Sequence, residues 1–324
     1  MDAREEQARE ILKEWNINPD QYWPKEAFSS EKQDDQTRAA NLVDRVKKAS
    51  EFAGTVVEHA LNNGTRIVFS QELSHTDGFY TQKGQDSLAP YDKKIVLNAH
   101  LSDERLMSTV VRLARQAEQR TDLSPQMTMH GAVTTARAKA ADAKAVEAAA
   151  AFEMRFSEPK AYQAFFENNM LIAGCYYYAM QEKNDMSHAL SYAAKIWYDR
   201  PAKQMEAFDN SVINAMCSAG MGDGNAFAFD VSAGSLRDIF SYAGTSYMDK
   251  AFLSGVKANG IGETLAAKIE RIEKYHKKEF KGKDPQKTRT SADRFHVVRK
   301  DGTVRFAQNN LSVMNRLSAC FGRS

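Results

Sequence analysis

The 324-residue chain is 43% hydrophobic and 27% charged, with a formal net charge of +2, the balance of a globular protein with a sizeable core. Its longest apolar runs, "AVEAAAAF" and "NMLIAGCYYYAM", fall short of the roughly 20 residues that cross a bilayer, so no transmembrane segment is expected. The near-neutral total hides an asymmetry: from residue 271 onward there are 14 Lys/Arg against 5 Asp/Glu, a basic tail that suits an acidic partner, nucleic acid or a membrane surface, or is simply solvated.

In chain order, residues 3–15 read as a charged amphipathic helix without the basic start, apolar run and cleavage site of an export signal. A cytoplasmic protein is the expectation, with signal-independent secretion left open. "INPDQYWPKEAFSSEKQDD" then breaks the pattern with two prolines. From Gln36 to Asn62, Leu42, Val43, Val46, Phe52, Val56 and Leu61 follow a three-and-four spacing, which predicts one long helix closed by "NNG". Short β-branched and aromatic runs at 65–70, 78–81 and 93–99 predict a small sheet. Ser102 followed by Asp103 and Glu104 is a helix start, and the helix should end near Thr121.

Further helices are predicted over 133–156, 158–183, 186–198, 202–219, 234–243, 246–257 and 262–279, with a glycine-rich loop at 218–235. "RFHVVRKDGTVRFA" reads as a β-hairpin behind the basic segment "KGKDPQKTRTSA". The fold class is therefore α+β and mainly α-helical: a helix–small sheet–helix unit, a helical bundle and a C-terminal β-hairpin. The expected division is 1–35 (helix and linker), 36–160 (first domain), 161–280 (helical region) and 281–324 (basic tail). Cys175, Cys217 and Cys320 are too few and too scattered for a disulfide framework or a cysteine zinc site.

The runs "NGTRIVFSQEL", "DGFYTQKG", "KKIVLNAHLSDERL" and "VVRLARQAEQ" resemble a family of zincin-like metallopeptidase domains of otherwise unknown function, over roughly residues 36–160. In that family a strand, a Gly-Tyr turn and an I-x-LN strand precede a helix of the form H-E-x-x-H-A-x-Q, and a later helix carries E-A-x-A. Such a motif sets two imidazoles one helical turn apart on a single zinc ion, with a glutamate to activate the bound water. Aligned on Ala117 and Gln119, the resemblance puts Arg112 at the first histidine, Leu113 at the glutamate and Gln116 at the second histidine. Glu147, in "VEAAAAF", falls at the third-ligand position.

A fixed cation, an aliphatic side chain and an amide cannot do that chemistry. The resemblance thus implies a pseudo-metallopeptidase without catalytic residues, metal or cofactor, retained as a protein-binding or structural module. Arg112 facing Glu147 would fill the vacated site with an ion pair. Two alternatives stand beside it. The 103–120 segment can be an ordinary amphipathic helix with Leu106, Val110, Leu113 and Ala117 inward and Arg105, Arg112, Arg115, Gln116 and Gln119 outward. The other alternative is a peptidase with a displaced ligand set: no two of the seven histidines are spaced i,i+3 or i,i+4, and His130, between the two helices, is the candidate to reach Glu147.

Gly260, Ile261 and Gly262 resemble the turn of helix-hairpin-helix proteins, where backbone N–H groups meet a DNA phosphate. With the basic tail this gives a second function class, nucleic-acid association, although Glu263 sets a negative charge at the same spot. "GMGDGNAF" matches neither a P-loop nor a dinucleotide fingerprint, and Asp223, Asn225 and Asp230 lack EF-hand spacing. The clusters "AYQAFFENN", "CYYYAM" and "IWYDR" fit either the core of the bundle or a partner surface.

Overall fold

The computed structural model describes residues 35–74, 76–83, 92–119, 126–220, 227, 230–259, 261–280, 294–298 and 304–308. The expected N-terminal helix at 3–15 and most of the basic tail lie outside the described residues. Among those described, the protein is mainly helical, with eleven helices and a small sheet. No described helix is long and apolar enough to cross a membrane.

Helices α1 (Asp35–Ala49) and α2 (Glu51–Asn62) occupy the stretch predicted as one helix. The break is Ser50, at φ −153° and ψ 121°, whose hydroxyl accepts from the Ala53 N–H and donates to Glu153 Oε2 at 2.6 Å. Serine binds local backbone well enough to compete with the helix ladder, and the partner on a distant helix decides the outcome. Gly64, at φ 80°, then turns the chain into the sheet.

Strands β1 (Arg66–Ser70), β2 (Gly78–Lys83) and β3 (Asp92–Asn98) form a sheet in the order β1-β3-β2, β1 parallel and β2 antiparallel to β3. Ile95 and Leu97 of the central strand are fully buried. A Cβ on Gly78 would lie 2.6 Å from the Val96 carbonyl oxygen and 3.1 Å from Leu113 Cδ1, so the close approach of β2 requires glycine. Asn98 ends β3: its side-chain amide donates to the Thr76 carbonyl and its oxygen accepts from the His100 N–H, which directs the chain toward α3 (Asp103–Glu118).

Helix α4 (Met129–Met154) is buried along almost its whole length. Alanine on every side lets several helices approach it at once, which is how a 26-residue helix becomes the axis of a bundle. Around it come α5 (Pro159–Asn168), α6 (Met170–Lys183), α7 (Met186–Tyr198) and α8 (Ala202–Gly220). The helix predicted over 158–183 is split at Asn169 (φ −140°, ψ 36°), whose amide donates to the Phe165 carbonyl while its oxygen accepts from Lys144 of α4.

Beyond these lie α9 (Ala233–Ile239), the short strands β4 (Ser241–Tyr242) and β5 (Thr245–Ser246), α10 (Lys250–Asn259) and α11 (Glu263–Phe280). The sequence predicts helix where β4 and β5 pair; instead Ala243 (φ 49°) and Gly244 (φ 77°) make a tight turn of the primed kind. Strands β6 (Arg294–Val298) and β7 (Val304–Gln308) pair antiparallel. One hydrophobic cluster runs from Leu42 to Ile272.

Candidate functional site

Helices α3 and α4 pack antiparallel, so polar residues that climb α3 meet partners that descend α4. Ser108 and Arg112 meet Glu147, Arg115 meets Asp142, and Gln119 meets Asp142 and the Lys139 carbonyl. Arg112, Gln116 and Gln119 are only 3%, 8% and 8% exposed, which corrects the amphipathic alternative that turned them to solvent. The apolar pattern of α3 marks the face toward the sheet, and a second, polar face is covered by α4. Arg105 is part-buried and reaches Asp77 at 2.9 Å.

Glu147 is the centre of the first cluster. Lys144, one turn back on α4, puts its Nζ 2.9 Å from Glu147 Oε2, and Arg112 Nε lies 3.4 Å from the same oxygen without hydrogen-bonding geometry. Ser108 Oγ donates to Glu147 Oε1 at 3.4 Å. Lys144 also donates to Asn169 Oδ1 at 3.0 Å. Arg200, from the α7–α8 corner, stacks at 4.9 Å from the Trp197 ring and feels the charges of both Arg112 and Glu147.

Burial pushes the Lys144 ammonium down to about 8; Glu147 opposes the shift, while Arg112 and Arg200 deepen it. Burial and then repulsion from Arg112 push Arg200 down to about 10, with Glu147 opposing. Arg112 and Lys144 thus both pair with Glu147, and Arg200 is coupled to it electrostatically.

Leu113 points elsewhere: it is fully buried and packs toward Gly78 at the edge of the sheet. Gln116 is buried one turn after Arg112 on the same side of α3. His130 cannot join Glu147. Both belong to α4, and seventeen residues at about 1.5 Å each place them roughly 25 Å apart. At the second motif, Gly260 lies outside the described residues, the Gly262 carbonyl accepts from the Leu265 and Ala266 N–H groups, and Ile261 packs against the core. Gly262 is a helix start for α11, with Glu263 in its first turn.

Sequence reasoning missed Lys144, Arg200 and Asn169. The available signal was the run "ARAKAADAKAVEAAAAF", where isolated charges interrupt a helix otherwise small and apolar; such charges must find partners once the helix is buried. Arg200 carried no local signal.

The donor set does not fit a divalent cation. Zinc takes imidazole, thiolate or carboxylate ligands, whereas Glu147 is flanked by a guanidinium and an ammonium. Among the described residues no three His, Cys, Asp or Glu side chains converge.

The molecule is thus a helical protein in which a helix laid over a small mixed sheet presents an arginine to the one buried glutamate of a central helix. A family described as "Putative metallopeptidase family (DUF6782)" matches residues 23–219, well over half of the sequence, and the chain belongs to it. The match extends on both sides of the 36–160 segment that carries the sequence resemblance. No curated protein and no solved structure matches the chain.

Proposed function

We propose that this member of the family is a non-catalytic pseudo-metallopeptidase that acts as a protein-binding or structural module in the cytoplasm. The observation that carries the reading is the ionic enclosure of Glu147. If Arg112, Leu113, Gln116 and Glu147 stand at the family's metal-site positions, the first and last of them are spent on each other and on Lys144. At an effective dielectric of about 20, a dication about 5 Å from a fixed monocation meets roughly 7 kcal/mol of repulsion. Two such cations outweigh what a single carboxylate can return, so a metal ion has no net reason to stay.

The binding half of the reading is supported by side chains a monomer has no need to expose. Phe156 (82% exposed), Tyr178 (74%), Leu171 and Met170 lie on α6 and on the turn after α4, where Tyr177 and Tyr178 contact edge to face. Large apolar side chains grouped on a surface favour a partner.

Hydrolysis assays test the first half: casein and mixed peptide substrates should stay intact with added zinc, and chelator-sensitive cleavage would overturn the pseudoenzyme reading. The second half is tested by native co-purification with a Leu171→Ser/Tyr178→Ser variant that keeps its unfolding midpoint. A specific companion protein retained by the wild type and lost by the variant is expected; equal recovery with both removes this surface.

A further inference from the structure

One face of α6 carries side chains that a single copy of the chain does not explain. Met170 and Leu171 are 63% and 64% exposed, Tyr177 and Tyr178 are 40% and 74% exposed, and no charged residue lies between Met170 and Gln181. Gly174 sits midway between the two pairs. A Cβ on it would meet nothing within 4 Å among the described residues, whereas a Cβ on Gly131 of α4 would lie 2.6 Å from Asp230 Oδ1. The packing of one copy therefore makes no demand for glycine at 174, although glycine inside a helix is costly. Phe156 adjoins this face: the Arg155 guanidinium lies over the rings of both Phe152 and Phe156, and Tyr177 meets Phe152 edge to face.

We propose that this face binds a second copy of the chain, the two α6 helices crossing antiparallel about a two-fold axis at Gly174. The spacing selects that occupant. Residues three and four apart share a helix face, so Met170 and Leu171 stand one turn before Gly174, and Tyr177 and Tyr178 one turn after it. An antiparallel copy centred on Gly174 sets the aliphatic pair of each protomer on the aromatic pair of its partner, and the symmetry makes both contacts at once. A thioether and a branched aliphatic chain against phenol rings are favourable contacts, and a glycine at the crossing lets the backbones come close. With no charge along the face, two copies meet without like-charge repulsion, and an acidic or basic partner finds no counter-ion there. The exposed parts of these four side chains and Phe156 come to roughly 600 Å² per copy, at about 200 Å² for a large side chain. One side of a stable interface buries about 800 Å², so the face supplies most of it.

The inference rests on the binding half of the proposed function, naming the companion as a second copy, and the two fail separately. The experiment is sedimentation equilibrium of the untagged full-length protein across a wide range of concentration, with co-purification of two differently tagged copies as a second readout. Wild-type protein should show a reversible monomer–dimer equilibrium, and each tag should retain the other copy.

Leu171→Ser/Tyr178→Ser removes apolar surface and should weaken dimerisation roughly tenfold or more. Gly174→Leu is the sharper variant, because it fills space that is open in a single copy and so should fold as the wild type does. It adds apolar surface, which would strengthen non-specific association, yet it blocks a close crossing and should also weaken the dimer roughly tenfold or more. A wild type that stays monomeric at every concentration, or a dimer that both variants leave intact, overturns the proposal. A monomeric wild type that still retains a different protein through Leu171 and Tyr178 assigns the face to that partner, which overturns the second copy and keeps the binding reading. A monomeric wild type that retains nothing overturns both.

Discussion

Two ionic groups lie within two turns of each other on the α3–α4 interface, and they solve the problem of buried charge in opposite ways. At Arg115 the Nε and Nη2 donors meet Asp142 and the carbonyls of Ile239 and Ser241, and Nη1 lies 3.6 Å from Glu118 Oε2. Asp142 also accepts from Gln119 Nε2 and Tyr247 Oη at 2.6 Å each. Burial alone would lower the Arg115 guanidinium, yet Asp142 more than offsets it and holds the group above its usual range. At Glu147 the balance runs the other way, and Lys144 is pushed down to about 8.

Asp142 gathers Arg115, Gln119 and Tyr247 into a clamp that ties the α9–β4–β5 region to the central helices.

Removing Asp142 should separate the two most sharply. Asp142→Ala leaves a mostly buried guanidinium, an amide and a phenol without their common acceptor, and should cost about 3–5 kcal/mol. Urea unfolding would measure it, with hydrogen exchange loosening first in residues 230–259. Should Asp142→Ala cost under about 1 kcal/mol, the clamp is not one.

The next effect is on pH. Lys144 has a depressed value in the folded state and its ordinary value, near 10.5, when unfolded, so between about pH 8 and 10.5 the unfolded chain binds more protons. Stability from this group therefore rises with pH across that window, as the buried charge is relieved. The span corresponds to about 3 kcal/mol at most, since each pH unit is worth about 1.4. The charged groups coupled to it are Glu147, Arg112 and Arg200, and Arg200, itself pushed down to about 10, loses its proton within the same window in both proteins compared below. The difference in stability between wild type and Lys144→Met should change in that direction from pH 8 to 10, and parallel profiles would contradict the assignment.

Arg112→Met should have the smallest effect, within about 1 kcal/mol of wild type by urea unfolding. It breaks a loose ion pair while Lys144 stays 2.9 Å from Glu147 as its counter-ion. A loss as large as that for Asp142→Ala would make Arg112 a second clamp and remove the contrast.

Much of this was legible in the sequence for local reasons. The Ser102 start of α3, the three strands and the alanine-rich α4 depend on neighbouring residues, and the resemblance paired Arg112 with Glu147. The breaks at Ser50 and Asn169 were not legible, because each asparagine or serine is tolerated within a helix until a distant side chain, Glu153 or Lys144, reaches it. The break at 244–245 was legible, but the residues flanking it were read as helix ends rather than a paired turn, because an alanine at positive φ gives no sign in the sequence. Arg200 entered the site through the packing of α7 and α8 alone. The polar residues of α3 were open to the wrong reading because amphipathicity distinguishes apolar from polar faces and says nothing of a polar face covered by a second helix.

Metal content is the most direct test of the claim that Glu147 belongs to a cationic site. Purified, tag-free protein is loaded with zinc, dialysed and assayed by elemental mass spectrometry, with Glu147→Gln in parallel. The account predicts no retained zinc in either protein. Near-stoichiometric zinc in the wild type that is lost in Glu147→Gln would contradict it.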